Sequence, residues 1–535
     1  MRKIIFAFAF LIIFVTSIVT AENYNKEEAS GAGNIFSAQE DVNSPESISE
    51  KEGVTAQNNI AERKRLALEK SPSFEPQFSV SEIFGDLGES LSCDELFRLS
   101  LLLSECPLDS NSAQSALKKF EKIKNEISSK KFMALDEETR GKEILKLLYR
   151  DTLQKYSYTQ TKTNVAFELG TYNCVSSAVI YMAAAKFAGL NVKGQKTPDH
   201  AFCTLYIYDK ESGNTRKIDV ETTNPYGFNP GSKESLENEG QIKKYYVVPK
   251  KNYANRLEVS DKIFVALIAG NLCSYYIKSK EYFNAIPLGV SRYNLVCNEN
   301  SKVVSEVRKD LDVLVCNYVN LLVKNAETCS EGLYYLASYY DLYGGTDYLQ
   351  KNFDQIFSNL MVYCNKEKNY PLAKQGYGDF KDYASEKQKT SAKEINADTQ
   401  VRSVVEGKNN DEKILILNEL LKSPDFKEAS QQKKAKAELE RAWVSILNGY
   451  INAKNYEEGY SECKKAMEQL PDSQTIKKMS NNFYNNIIAV FHNAFAKEAN
   501  KKNYEEAFRI LQEGLERFPG DKTLEKDKQL LLKWL

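Results

Sequence analysis

Apolar positions recur at helical spacing over most of the chain. Leu96, Leu99, Leu102 and Leu103 fall on one face, and Ile144, Leu147 and Leu148 on another, so residues from about 76 to 168 are predicted to be amphipathic helices. The pattern then changes. An apolar helix is predicted over 180–188, stopped by Gly189 where a left-handed cap is usual. Alternating aromatic and apolar residues from near His200 to Tyr208 predict a strand. A polar turn covers 209–214, and 216–225 is the returning strand. From about 260 to 535 the spacing is helical throughout.

Two stretches break this pattern. Residues 22 to about 75 are rich in Glu, Ser, Asn, Lys and Gly and poor in aromatic residues. Such a stretch buries too little apolar area to offset its chain entropy, so a disordered linker is expected there. Ahead of it, Met1-Arg2-Lys3 is basic, 4–19 is apolar except for Thr16 and Ser17, and Val19-Thr20-Ala21 offers small residues for cleavage. That is the form of a secretory signal peptide over 1–21; the other reading is an uncleaved anchor helix. Either way the chain is expected to be exported, periplasmic or secreted, from a bacterium, with no second span holding it in a bilayer.

Composition narrows the choices. The 535 residues are 42% hydrophobic and 27% charged, with a mean hydropathy of −0.49, which suits a globular chain of two or three domains and excludes a polytopic membrane protein. Lys and Arg number 72 against 73 Asp and Glu, so there is no electrostatic footprint for nucleic acid. Two histidines leave little to build a metal site, and neither a metal nor a cofactor is expected. The ten cysteines are scattered without a CxxC pair, and most lie in apolar helical surroundings, as buried small hydrophobes do.

The C-terminal stretch repeats. Residues 452–476 lie over 500–524 at a constant offset of 48, with nine of 25 pairs identical. A looser Lys-x-Tyr-x-x-small signature marks Lys280, Lys368, Lys454 and Lys502 with Tyr282, Tyr370, Tyr456 and Tyr504. The first two steps are close to twice the third, so degenerate copies are expected between them. Each unit reads as a helix, an Asn/Lys turn and a second helix opening on Tyr, with Pro471 and Pro519 ending second helices. Hairpins of this kind stack to bury their faces, and roughly six are expected over 262–535. The stretch resembles a divergent tetratricopeptide-type array, which implies a concave surface for a protein or peptide partner; a rigid spacer is the other reading.

Candidate chemistry lies in 170–225. Asn173 is a good N-cap, which puts Cys174 in the first helical turn, where the helix dipole favours a thiolate. His200 opens the first strand, and Asp219 lies on the returning one, so antiparallel pairing can bring the two together. Cys174, His200 and Asp219 would then be nucleophile, base and orienter, and the ordinary histidine value of about 6.5 suits proton transfer. Each residue also has a bland reading: a core cysteine, an idle strand histidine and a turn cap. His492 falls opposite Val444 in the repeat and reads as incidental.

A cysteine opening a helix, then His200-Ala201-Phe202, then Asp219 near Thr222 and Pro225 resembles the transglutaminase-like superfamily with its papain-like fold. Phe202 stands where that pattern has Trp, and the Pro is displaced. The resemblance spans roughly 130–250. It implies an α+β transglutaminase-like domain over 76–250, with a helical N-terminal part, ahead of an all-α helical-hairpin solenoid over 262–535, with a hinge near 250–262. It implies Cys174, His200 and Asp219 as the triad. The backbone N–H of Cys174 is the first choice of oxyanion donor, with Tyr172 and Gln160 as others. The expected activity is a cysteine hydrolase or acyltransferase on amide or ester carbonyls, either a peptidase or transglutaminase-like. The alternative is a non-catalytic helical-repeat scaffold with a vestigial triad.

Overall fold

The computed structural model describes residues 48–209, 213–230, 255–424 and 426–535. The expected signal peptide over 1–21, residues 22–47 of the expected linker and residues 250–254 of the expected hinge lie outside these. Residues 1–57 and 58–535 are separate compact units. The described part of the first is helical and belongs to α1 (Ile48–Glu69).

The second unit is mostly helical around a small sheet. It continues with α2 (Val80–Phe84), α3 (Cys93–Leu102), α4 (Asn111–Ile127), α5 (Lys130–Met133), α6 (Glu137–Asp151), α7 (Thr163–Leu169) and α8 (Cys174–Phe187). The strands are β1 (Lys155–Tyr156), β2 (Thr171–Tyr172), β3 (Val192–Lys196), β4 (Ala201–Tyr208), β5 (Thr215–Val220) and β6 (Leu257–Val259). β1 and β2 form a short parallel pair, and the other four form a sheet in the order β5-β4-β3-β6. The expected hairpin of β4 and β5 is present and antiparallel. β3 and β6 escaped the sequence reading because Val192–Lys196 and Leu257–Val259 are too short to carry an alternation.

Helix α8 is the central element. Its burial is not confined to one face: all twelve residues from Cys174 to Ala185 are buried. A helix apolar all round has to be surrounded, and α8 packs against α3, α6, β3 and β4.

From Asp261 onward the described residues are helices: α9 (Asp261–Ser279), α10 (Tyr282–Val296), α11 (Lys302–Leu322), α12 (Ala326–Tyr343), α13 (Asp347–Glu367), α14 (Tyr370–Phe380), α15 (Glu386–Val405), α16 (Asn410–Lys422), α17 (Ala429–Ala453), α18 (Tyr456–Gln469), α19 (Gln474–Asn500), α20 (Tyr504–Arg517) and α21 (Lys522–Leu532). Successive members pair into hairpins, and the first helices of neighbouring hairpins also touch. The doubled steps in the signature are explained by the α11–α12 and α15–α16 hairpins, which use other turns.

Two expected boundaries are corrected. Among the described residues no hinge separates the sheet from the helices: β6 pairs with β3, Ser260 caps α9, and α9 packs on β3, α3 and α8. Gly194 of β3 sits so close to α9 that a Cβ there would come within 2.3 Å of the Phe264 ring. The expected linker is likewise structured from residue 58 to 75. Ala67 and Phe74 are core residues, Phe74 stacks on Tyr335 at 4.5 Å, and Tyr335 donates to the Pro72 carbonyl at 2.8 Å. Its polar composition misled because a few apolar residues in it dock on a preformed tyrosine-rich surface rather than building a core.

Candidate functional site

Cys174 owes its place to the start of α8. Asn173 Oδ1 accepts from the amides of Val175 and Ser176 at 3.0 and 3.1 Å, and Ser176 Oγ accepts from the Asn173 amide in return, closing a capping box. The Cys174 amide is not among those Asn173 takes. The N-cap thus fixes the thiol at the positive end of a 14-residue helix.

His200 immediately precedes β4. Its carbonyl accepts from Thr197 N at 2.8 Å, closing the turn that leads into the strand. The Cys174 side chain lies close enough to act on its ring, and both residues line one cavity. On the far side, His200 Nε2 lies 2.7 Å from Glu221 Oε2. The three residues are only 7%, 5% and 5% exposed for Cys174, His200 and Glu221, so the array is shielded from bulk water. Burial works against the charged imidazolium, but the neighbouring Cys174 and Glu221 outweigh it and raise the ring to about 10.

The third member is Glu221, not Asp219. The β4–β5 register sets Thr204 opposite Asp219, so Asp219 lies too far along the strand to reach His200. Asp219 instead accepts from Thr204 Oγ1 at 2.8 Å and pairs with Arg256. Glu221 is two residues on, one repeat of the pleat nearer to His200. Its other oxygen, Oε1, accepts from the Thr223 amide at 3.1 Å and Thr223 Oγ1 at 2.7 Å. The signal that could have found it was the even spacing of Asp219 and Glu221: both face one side of the strand, and only the loop length between strands decides which reaches the histidine.

The turn after β5 secures Glu221. Its amide donates to Gly227 O at 2.8 Å, and a Cβ on Gly227 would lie 1.9 Å from the Glu221 carbonyl oxygen. Ser177 Oγ of α8 meets Thr222 Oγ1 at 2.8 Å, and Tyr149 donates to the Thr222 carbonyl at 3.0 Å. Helix α8 therefore holds both the thiol and the segment carrying the carboxylate.

Cys174 and His200 line a cavity of ≈ 320 Å³. It is also lined by Tyr158, Thr159 and the turn before His200, by Gly270, Asn271 and Tyr275 of α9 and by Arg292 of α10. The first helices of the array thus close the site. Of the other expected oxyanion donors, neither Tyr172 nor Gln160 lines this cavity. The Tyr172 hydroxyl is bonded to that of Tyr149 at 2.8 Å, and Gln160 Oε1 accepts from the Lys162 amide at 2.9 Å.

None of the other nine cysteines lines the cavity of Cys174. All ten are free. Cys203 faces α8, its thiol directed at the Ala178 carbonyl at 3.3 Å, on the opposite side of β4 from His200. Burial pushes the thiols of Cys93, Cys273, Cys329 and Cys364 up to about 12 and that of Cys463 to about 11, and those of Cys203 and Cys316 well up. His492, read as incidental, pairs with Asp527 at 2.7 Å on the far end of the array.

No family model matches the chain, and no curated protein matches it. A search of solved structures finds menin, in a crystal structure titled as revealing the binding site for Mixed Lineage Leukemia (MLL) protein. The identity is 12%, the match covers 79% of this chain and 94% of menin, and the TM-score is 0.26, too low to carry an argument.

Proposed function

We propose that this chain is a cysteine-dependent enzyme of transglutaminase-like kind, acting on an amide or ester carbonyl. The observation that carries the reading is the grouping of Cys174 and His200 on one cavity, with the His200 ring bonded to Glu221 at 2.7 Å. A nucleophile at a helix N-terminus, a ring that can hold its proton and a carboxylate that fixes that ring are the parts acyl transfer needs. A Glu serves as orienter as well as an Asp does.

The chemistry follows from the atoms. The His200 ring already carries the proton of the pair at neutral pH, and the Cys174 thiolate attacks the carbonyl carbon. The carbonyl oxygen becomes an oxyanion, which the Cys174 amide at the helix start is the group to receive. As the bond to the amine or alcohol breaks, His200 returns the proton to the leaving group, and a thioester remains on Cys174. Water or an amine then attacks the thioester, loses its proton to His200 and restores the thiolate. Glu221 stabilises the imidazolium throughout without itself taking a proton.

The rest of the reading follows from sequence. Export rests on the form of residues 1–21. A protein or peptide partner on the helical hairpins rests on their stacking, and none of the described helices is long and apolar enough to cross a membrane.

The test is site-selective alkylation. Iodoacetamide at neutral pH should label Cys174 faster than every other cysteine, and His200→Ala should remove that advantage. Labelling of Cys174 no faster than of the half-exposed Cys297 would favour the scaffold reading.

A further inference from the structure

Helix α9 keeps one open face. It packs on α10 and α11 of the array and on α3, α8 and β3, and ten of its 19 residues are buried. Leu267, Gly270, Asn271, Ser274, Tyr275 and Lys278 are half-buried or exposed. Their steps of three and one residues in alternation make a single helical stripe. All six line the cavity that holds Cys174 and His200. At about 1.5 Å per residue the stripe is about 16 Å long, which matches about four or five residues of extended chain.

The aromatic side chains of this cavity stand in water. Tyr275 is 54% exposed and Tyr158 is 71% exposed, and both line it. Exposed tyrosines in a concave site give a ligand large contact area at little entropic cost. The backbone that carries them is held. Asn271 Nδ2 donates to Thr161 Oγ1 at 3.2 Å, Asn173 Nδ2 donates to the Tyr158 carbonyl at 3.4 Å, and Lys162 pairs with Glu105 at 2.9 Å. The segment from Tyr158 to Lys162 is thus tied both to the N-cap of α8 and to α9, so the cavity is formed before a ligand enters.

We infer that the α9 stripe binds the acyl chain of the substrate, and that this chain is an extended polypeptide. This rests on the reading of Cys174 as nucleophile and names its substrate class. Of the carbonyls such a nucleophile attacks, one within a polypeptide is flanked by further amides, each with a donor and an acceptor. Asn271 and Ser274 offer a side-chain amide and a hydroxyl along the stripe to meet them. Gly270 has no side chain to obstruct a backbone laid along the helix, and Tyr275 offers a ring to one of its side chains.

Affinity alkylation of the full-length chain tests this. The probes are the chloromethyl ketones of acetyl-Gly, acetyl-Ala-Gly, acetyl-Ala-Ala-Gly and acetyl-Ala-Ala-Ala-Gly. In each, the Cys174 sulfur forms a bond to the methylene carbon as chloride leaves. The second-order rate of Cys174 labelling should rise on the order of tenfold from the shortest probe to the longest, as one aromatic contact and one hydrogen bond allow. Tyr275→Ala deletes a contact and Ser274→Phe fills the groove. Each should remove most of the gain and leave the rate of the shortest probe unchanged. Both residues are exposed, so the fold survives either change. Phe283, 62% exposed on α10 and not part of the cavity lining, is the control, and Phe283→Ala should keep the whole gain. Labelling that is independent of probe length overturns the inference, as does a gain that survives both stripe variants. Protection of Cys174 by chitotetraose without a length gain assigns the stripe to a glycan and overturns the peptide. Failure of every probe to single out Cys174 overturns the enzyme reading instead.

Discussion

At the level of single residues, two carboxylates two positions apart have different work. Glu221 is buried against His200, whereas Asp219 pairs with Arg256 near the surface. Glu221→Gln should therefore cut Cys174 alkylation or turnover by on the order of 10²- to 10⁴-fold, as loss of a triad carboxylate does. Asp219→Asn should leave the rate near wild type and cost stability on the order of 1 kcal/mol or less. As a positioning residue, Glu221 should also be partly rescued by Asp and should shift the pH profile when changed to Gln. The pH dependence has a definite sign. The folded His200 value, about 10, lies above the ordinary 6.5, so the fold gains from the proton. That gain is fully present below 6.5 and is lost as pH rises through about 10. The gap in urea midpoint between wild type and Glu221→Gln should be widest at about pH 6 and narrow towards pH 10. A gap that widened with pH would contradict this account. Cys174 and His200 were legible in the sequence because each is marked by local chemistry, an N-cap before the cysteine and a strand start at the histidine. Glu221 was not, because its choice over Asp219 depends on register, which the loop over 209–214 sets and composition does not reveal. The α9 stripe was hidden for a longer-range reason: nothing near it in sequence says that α9 lines the Cys174 cavity.

Among the elements, the repeat signature turned out to encode one turn rather than one helix. Lys280, Lys368, Lys454 and Lys502 have φ of 62°, 56°, 57° and 59°, and the residues after them have φ between −88° and −85° with ψ between 60° and 70°. Each tyrosine of the signature is then the first residue of the following helix. The small residue three further on is where the helices meet: at Gly459 a Cβ would come within 2.3 Å of Phe483. The sequence was readable here because a left-handed position and a close approach leave few residue choices. It was less readable at the α11–α12 and α15–α16 turns, where no left-handed lysine is used. A lysine in this backbone region carries strain of roughly 1–2 kcal/mol, partly offset by the extra freedom a glycine has when unfolded. Lys454→Gly should thus raise stability by about 0.5–1 kcal/mol, and Lys454→Ile, branched at Cβ, should lower it. Thermal melts of the two variants should bracket wild type; the reverse order would place the turn elsewhere. At the other end of the scale of tolerance, Gly227→Ala should displace Glu221 and cost both stability and labelling of Cys174, since the added carbon meets backbone rather than a movable side chain.

Over residues 58–535, the division into a catalytic part and a binding array does not hold as two bodies. One continuous core runs from Ala67 through Cys174 to Ala392, and two further cores, from Val401 to Phe483 and from Ile487 to Leu531, extend the helical end. The chain ahead of α2 helps bind this assembly together. Arg63 pairs with Asp379 at 2.8 Å, Ser71 accepts from the Tyr318 hydroxyl at 3.1 Å, and the Gln77 amide donates to Ser291 Oγ at 2.7 Å. The segment therefore runs along the hairpins from α14 to α10 and covers part of the surface a partner would otherwise meet. Any partner site on the first hairpins must lie beside this strap or displace it. Phe74 is the sharpest probe, because a linker residue and a core residue predict opposite results. A disordered segment would tolerate Phe74→Ala without change. Here the ring is 8% exposed and stacks on Tyr335, so its removal should cost about 3–5 kcal/mol. Tyr335→Phe, which strands the buried Pro72 carbonyl, should cost about 1–3 kcal/mol. The two residues touch, so the double variant should lose less than the sum of the single losses. Chemical denaturation of the full chain reads all three, and additivity would mean that the strap does not lie on α12.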